Sequence, residues 1–230
     1  MSLITSEVCR TVLSYHYYCW ALGYGGDEPF DPALRVVCDE LLGPLVFNTV
    51  KARAEELRGS ATMLTEFGEC SPRYDHPDYQ GTIECNAVLQ QAEKHLQSWS
   101  YWDTASGGAL WDGQGNVNTE AVKYINIGTL SLEIILLSDR IFSRPYPQAT
   151  AGTPLSLSYD PYSRVMEFSF LPNLQIVSAT EIFVPPLVYT EGYRVEVSTN
   201  LDWETKEMFK NKVLVTAYSE EEGVVRITPN

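Results

Sequence analysis

Apolar and polar positions alternate with two different periods along this chain, and the change of period divides it. Near the N-terminus, "TVLSYHYY" (11–18), "ATMLTE" (61–66) and "LQSWSYW" (96–102) are short runs rich in β-branched and aromatic residues, a pattern that predicts strands. Between them the apolar residues recur at helical spacing. Leu34, Val37, Cys38, Leu41 and Leu42 follow Asp31-Pro32, an N-cap residue with proline in the first turn. Gly43-Pro44 is expected to break that helix, and a second one runs through "LVFNTVKARAEEL" to a Gly59 cap. Further helices are predicted around "IECNAVLQQAEKH" and, capped by Asn118, around "TEAVKYI". Strand, helix, strand, helix, strand, helix is a βα repeat with a parallel sheet.

Beyond "SRPYPQATAGTP" (143–154) the helical period disappears. "LSLSYDPYSRVMEFSF", "SATEIFVPP", "GYRVEVST", "KVLVTAYS" and "GVVRITP" alternate with period two. Turn signals punctuate them at Tyr159-Asp160-Pro161-Tyr162, Gly192 and Gly223. Short strands at regular intervals predict an antiparallel sandwich. The chain therefore reads as two domains, 1–145 and 146–230.

A net charge of −14 argues against nucleic-acid partners, because binding phosphates needs clustered Lys and Arg. The longest apolar run near a helix, "LEIILL" at 132–137, is far short of the roughly 20 residues that span a bilayer. "MSLITSEVCR" lacks the basic start and apolar block of a signal peptide. His16, His76 and His95 are scattered and form no zinc spacing, and there is no glycine-rich phosphate loop. No metal or organic cofactor is expected. Among the five cysteines, Cys19 and Cys38 flank one βα connection and Cys70 and Cys85 another. Pairing within each connection, with Cys9 left over, would suit an oxidising compartment; buried free thiols fit the spacing equally well.

Candidate chemistry sits at strand ends. Glu66 closes an apolar run, and an unpaired carboxylate there is costly unless it is solvated, paired or functional. On the first strand, Ser14, His16 and Tyr18 share one face while Tyr15 and Tyr17 take the other. On the third, Trp102 lies with Ser98 and Ser100, and Trp99 points oppositely to pack against helices; a register error of one residue would exchange the two.

"YHYYC", "LTEFG", "WSYW" and "RPYPQATAG", in this order, together resemble the endoglycoceramidases of glycoside hydrolase family 5, and the tail "ATEIFVPPLVYTEGYRVEVS" is similar to their C-terminal sandwich. The resemblance covers about residues 11–228. It implies the C-terminal part of a (β/α)8 TIM barrel, about three βα units carrying strands six to eight, followed by an antiparallel β-sandwich. By resemblance Glu66 is the nucleophile of a retaining glycosidase, Tyr18 orients it, His16 contacts the sugar and Trp102 is the sugar platform. The implied substrate is a glycosphingolipid or its oligosaccharide. Its lipid is expected to lie toward a groove between barrel and sandwich, with peripheral lipid contact and no transmembrane segment. An extracellular or lysosomal parent enzyme is implied.

Two departures qualify that expectation. The acid/base of such enzymes follows an Asn on the fourth strand, yet no Asn-Glu dipeptide occurs in these 230 residues. The N-terminal barrel half is expected to be missing, as in a truncated gene model or shortened paralogue, leaving the chain inactive alone. Between "AVKYI" and "SRPYPQATAG", "GTLSLEIILLSDRIFS" (128–143) reads as an insertion or unspliced sequence. The alternative function is a non-catalytic glycolipid- or carbohydrate-binding protein that keeps Trp102 and the sandwich.

Overall fold

A computed structural model describes residues 11–19, 36–57, 60–67, 80–101, 142–206 and 211–230. In its first part, β1 (Val12–His16), β2 (Ala61–Glu66) and β3 (Ser98–Trp99) form a three-stranded parallel sheet in that order. Helices α1 (Gly43–Glu56) and α2 (Gln80–Lys94) connect them. The core lies between this sheet and the helices, where Tyr17, Phe47, Leu64, Phe67 and Leu89 are buried. Tyr15 and Tyr17 both turn their rings edge-on to Phe47, so the face predicted to oppose His16 is the core face.

Gly43-Pro44 does not break the helix. A π-helical turn, Val37–Leu42, runs directly into α1, and the Gly43 N–H donates to the Cys38 carbonyl five residues back. Proline is excluded from a helix interior by its missing N–H and its clash with the preceding turn. The wider π turn relieves that clash and places Pro44 where its missing N–H is tolerated. The strand expected over 96–102 shortens to Ser98–Trp99. Leu96 instead takes a left-handed backbone (φ 53°), and Gln97 N–H closes α2 by donating to the Ala92 carbonyl. Gly59, Asn118 and the segment 128–141 lie outside the described residues.

The second part is a sandwich of two antiparallel four-stranded sheets. One has the order β4 (Tyr146–Ala149), β7 (Thr180–Phe183), β10 (Lys212–Ala217), β9 (Leu201–Glu204). The other is β5 (Gly152–Asp160), β6 (Val165–Pro172), β11 (Gly223–Pro229), β8 (Tyr193–Val197). Ile182, Val213 and Val215 from the first meet Met166, Phe168, Phe170, Val225 and Ile227 from the second, as alternation along each strand requires. Sequence patterning missed β4 and β9, and both are edge strands. β4 contains Pro147 and its register shifts between Pro147 and Ala149, and β9 carries Asp202 and Glu204 outward; proline and charge are what edges tolerate. At the β5–β6 turn the Asp160 carboxylate accepts the amides of Tyr162 and Ser163 and the Ser163 hydroxyl.

Arg144 joins the two parts. Its guanidinium makes a two-pronged pair with Glu93 of α2, donates to Asn86 Oδ1 at 3.1 Å and to the Tyr159 carbonyl at 3.1 Å, and lies 4.8 Å from the Tyr159 ring centroid. Both partners are buried, Arg144 at 4% and Glu93 at 6% exposure. Burial pushes the Glu93 carboxyl upward, against the hydrogen bond and charge of Arg144 that pull it down. Removing one partner of such a pair strands the other charge. Arg144→Ala should therefore lower stability by about 3–5 kcal/mol in urea unfolding, and combining Arg144→Met with Glu93→Leu should recover most of it. A loss below about 1 kcal/mol in the single variant, the range of an exposed pair, would contradict this role.

His95, at the end of α2, stacks on Phe47 with centroids 6.1 Å apart, and neither ring nitrogen has a partner among the described residues. Burial, then the charges of Lys51 and Lys94, hold its pKa below the ordinary imidazole value. The unfolded chain therefore takes up a proton that the folded chain resists. This contribution to stability is present above about pH 6.5 and is lost as pH falls below it. His95→Phe, which keeps the stack, should lose less stability than the parent between pH 7.5 and 5.5 in denaturant titrations; equal losses would refute the assignment.

Candidate active site

Strict alternation along β2 would place Glu66 on the same face as Leu64, which is fully buried against the helices. The structure avoids this with one irregularity. Tyr15 pairs with Leu64, but His16 pairs with Glu66, so Thr65 is an extra residue in the ladder. Such a bulge re-aims the side chains that follow it. Glu66 turns to the face of His16 and Tyr18, and Phe67 turns into the core with Trp99 and Tyr101. Two bonds hold the bulge: the Thr65 hydroxyl donates to the Tyr15 carbonyl at 3.0 Å, and the Tyr17 N–H donates to the Glu66 carbonyl at 3.0 Å.

At this rim the Tyr18 hydroxyl donates to Glu66 Oε1 at 2.9 Å. His16 Nδ1 lies 3.4 Å from Glu66 Oε2. The Glu66 side chain is 25% exposed and that of His16 58%, so the carboxylate is reachable yet partly shielded. One oxygen is held by a phenol; the other is open beside an imidazole. Trp102 lies outside the described residues. Trp99 packs edge-on against Phe67 at 5.8 Å, on the helix side as expected. Among the described residues no group of three or more His, Cys, Asp or Glu side chains converges as a metal would require.

Cys19, one residue past Tyr18, forms a disulfide with Cys38, their Cα atoms 5.7 Å apart. Cys85 is also disulfide-bonded, while Cys70 lies outside the described residues. A cavity of about 710 Å³ separates the first part from the sandwich, lined by Leu96, Gln97, Phe142, Pro147, Phe183 and Leu187 among others. It runs along β3, where both Ser98 and Trp99 line it, whereas Glu66 closes β2, its parallel neighbour. Glu66, His16 and Tyr18 do not line this cavity, and we assign it no part in the site. Thr65, whose hydroxyl holds the bulge, and Cys38, bonded to Cys19 beside Tyr18, escaped the sequence reading as site residues. The Cys19/Cys38 spacing was a signal for the second; an isolated Thr in a strand gives none for the first.

Residues 144–228 match the glycoside hydrolase family 5 C-terminal domain. The chain is 30% identical over 196 residues to endoglycoceramidase I of Rhodococcus hoagii (strain 103S), spanning 85% of this chain and 32% of that one. It is 30% identical over 115 residues to a glucosylceramidase of Cryptococcus neoformans var. grubii, spanning 43% of this chain and 15% of that protein. The fold matches endo-glycoceramidase II from Rhodococcus sp. with a TM-score of 0.59 at 21% identity, covering 95% of this chain and 42% of that chain. Cryptococcus neoformans sterylglucosidase 1 matches with a TM-score of 0.58 at 13% identity, covering 84% of this chain and 32% of that one. The chain thus spans a third or less of the length of these curated relatives.

The bulge makes its own prediction. Thr65→Val keeps the shape but removes the bond to the Tyr15 carbonyl, and should cost about 0.5–1.5 kcal/mol in urea unfolding. Unchanged stability would mean that the bulge is held by other contacts.

Proposed function

We propose, from the premise that this is an endoglycoceramidase-like chain of glycoside hydrolase family 5, that it carries the nucleophile side of a retaining glycosidase site for glycosphingolipids. The observation that carries the reading is the Tyr18 hydroxyl on Glu66 Oε1 with His16 beside Oε2, at the ends of adjacent parallel strands. The three strands are strands six to eight of a (β/α)8 barrel, where side chains at the C-terminal strand ends do the chemistry. The solved Rhodococcus relative has been captured as a lactosyl-enzyme intermediate and in a ganglioside GM3 complex, and both accord with this substrate class.

The geometry suggests a division of labour. Tyr18 ties up Oε1, leaving Oε2 to attack the anomeric carbon. The C–O bond to the ceramide oxygen breaks as the Glu66–carbon bond forms, and an acid must supply the proton that the alkoxide takes. Water then cleaves the glycosyl-enzyme and returns that proton. His16 sits where a sugar hydroxyl would approach Oε2, and Trp102 supplies the apolar platform. No metal or organic cofactor enters this scheme.

The acid/base carboxyl should stand about 5–5.5 Å from Glu66. No Asn-Glu dipeptide exists in the sequence to provide it in the family's manner, and loss of acid catalysis costs about 10²–10⁴-fold. We therefore infer that residues 1–230 alone do not turn over natural glycolipids. An oxidising setting, extracellular or lysosomal, is in keeping with the Cys19–Cys38 disulfide.

The test compares two substrates on the full 230-residue chain. A natural ganglioside, followed by mass spectrometry, should give no detectable product. A dinitrophenyl glycoside, whose leaving group needs no proton, should be hydrolysed slowly, and Glu66→Gln should abolish that activity. Ganglioside turnover comparable to a full-length relative would overturn the inferred inactivity, and aryl glycoside hydrolysis unaffected by Glu66→Gln would overturn the nucleophile. Saturable glycolipid binding with no turnover of either substrate would favour the binding protein instead.

A further inference from the structure

The ladder of β1 ends at His16, yet the residue that reaches Glu66 is Tyr18. A phenol hydroxyl stays on a carboxylate only if the backbone beneath it is fixed, and Tyr18 has left the strand. Its neighbours are held: the Tyr17 N–H donates to the Glu66 carbonyl, and both neighbours are tied to one further residue. On one side the Tyr17 hydroxyl donates to the Cys38 carbonyl at 3.4 Å, its ring packed 5.7 Å from Phe47. On the other, Cys19 is bonded covalently to the Cys38 sulfur. Cys38 is itself immobile: it is 1% exposed and sits in the π-helical turn, its carbonyl also accepting the Gly43 N–H. The turn that admits Pro44 is thus the one that presents Cys38 to β1.

We propose that Cys38 is a positioning residue, which clamps both flanks of Tyr18 and so keeps the Tyr18 hydroxyl on Glu66. As a statement about catalysis this rests on Glu66 being the nucleophile; as a statement about geometry it does not. A disulfide closing a connection of this length also stabilises by restricting the unfolded chain. That effect lowers unfolding without touching the folded site, so the two roles separate in the folded protein.

The experiment uses the full chain with tyrosines carbon-13 labelled at Cζ, at temperatures where near-ultraviolet circular dichroism reports native packing. In the parent, Glu66→Gln shifts the Tyr18 resonance, because the phenol exchanges a carboxylate acceptor for an amide. With Cys19→Ser and Cys38→Ser together, the same Glu66→Gln change should leave the Tyr18 resonance nearly unmoved. Hydrolysis of the dinitrophenyl glycoside should fall at least 10-fold, toward the ~100-fold that an ångström of misplacement costs. Tyr18→Phe should then add little to that loss, since two changes acting through one contact are not additive. Should the double variant not fold, Cys19→Ser alone, which breaks the same disulfide and leaves residue 38 unchanged, carries the same comparisons.

A Tyr18 response to Glu66→Gln equal with and without the disulfide, with independent rate losses, would overturn the proposal. So would a parent in which Glu66→Gln leaves Tyr18 unmoved. If the response is lost with the disulfide while no variant shows Glu66-dependent hydrolysis, the clamp stands and the catalytic reading of Glu66 fails.

Discussion

One guanidinium holds this molecule together. Arg144 is the residue at which the helical part gives way to the sandwich, and its guanidinium donates to three residues on two elements: the Glu93 carboxylate and Asn86 on α2, and the Tyr159 carbonyl on β5. Lysine could not do this, because a single ammonium lacks the planar fork that meets a carboxylate with two bonds. Because the pair is buried, its value lies less in net stability than in the cost of every arrangement that leaves either charge alone. The sandwich is thereby registered against α2, and through α2 against the sheet that carries Glu66.

The site uses the opposite strategy, a local departure from regularity. A strand that alternated perfectly would bury Glu66 beside Leu64 without a partner. One extra residue, Thr65, turns it to the His16 face at the cost of a broken ladder, and the core still closes because Phe67 takes the next inward position. The π turn before α1 is a second departure, needed because Pro44 cannot sit in a regular helix at that point. Both irregularities flank the same few residues. Such features are costly in isolation and persist where surrounding packing determines them.

Much of the fold was legible in the sequence where side-chain period matched backbone period. The shared face of His16 and Tyr18 follows from counting by two, as does the opposite burial of Tyr15 and Tyr17. Likewise Trp99 could be assigned to the helix side. What failed to show was anything that breaks period. Gly43-Pro44 looked like a stop because a pattern of residue types carries no sign that a helix can widen. The left-handed Leu96 hid because leucine rarely adopts that backbone. β4 and β9 were invisible because edge strands are selected to look unlike strands. The Thr65 bulge, which decides where the carboxylate points, has no local signature. The geometry of Glu66 was thus the part of the candidate site least readable from composition, and it was reached through resemblance before the structure supplied its physical cause.

The central claim is that Glu66 forms a covalent bond to sugar. It is tested most directly by incubating the chain with a 2-deoxy-2-fluoro glycosyl fluoride, whose glycosyl-enzyme forms without a protonated leaving group and hydrolyses slowly. Peptide mapping by mass spectrometry should find one fluoroglycosyl group on the peptide containing Thr65-Glu66-Phe67, and none after Glu66→Gln. A label on any other carboxylate, or none on the native chain, would contradict the account.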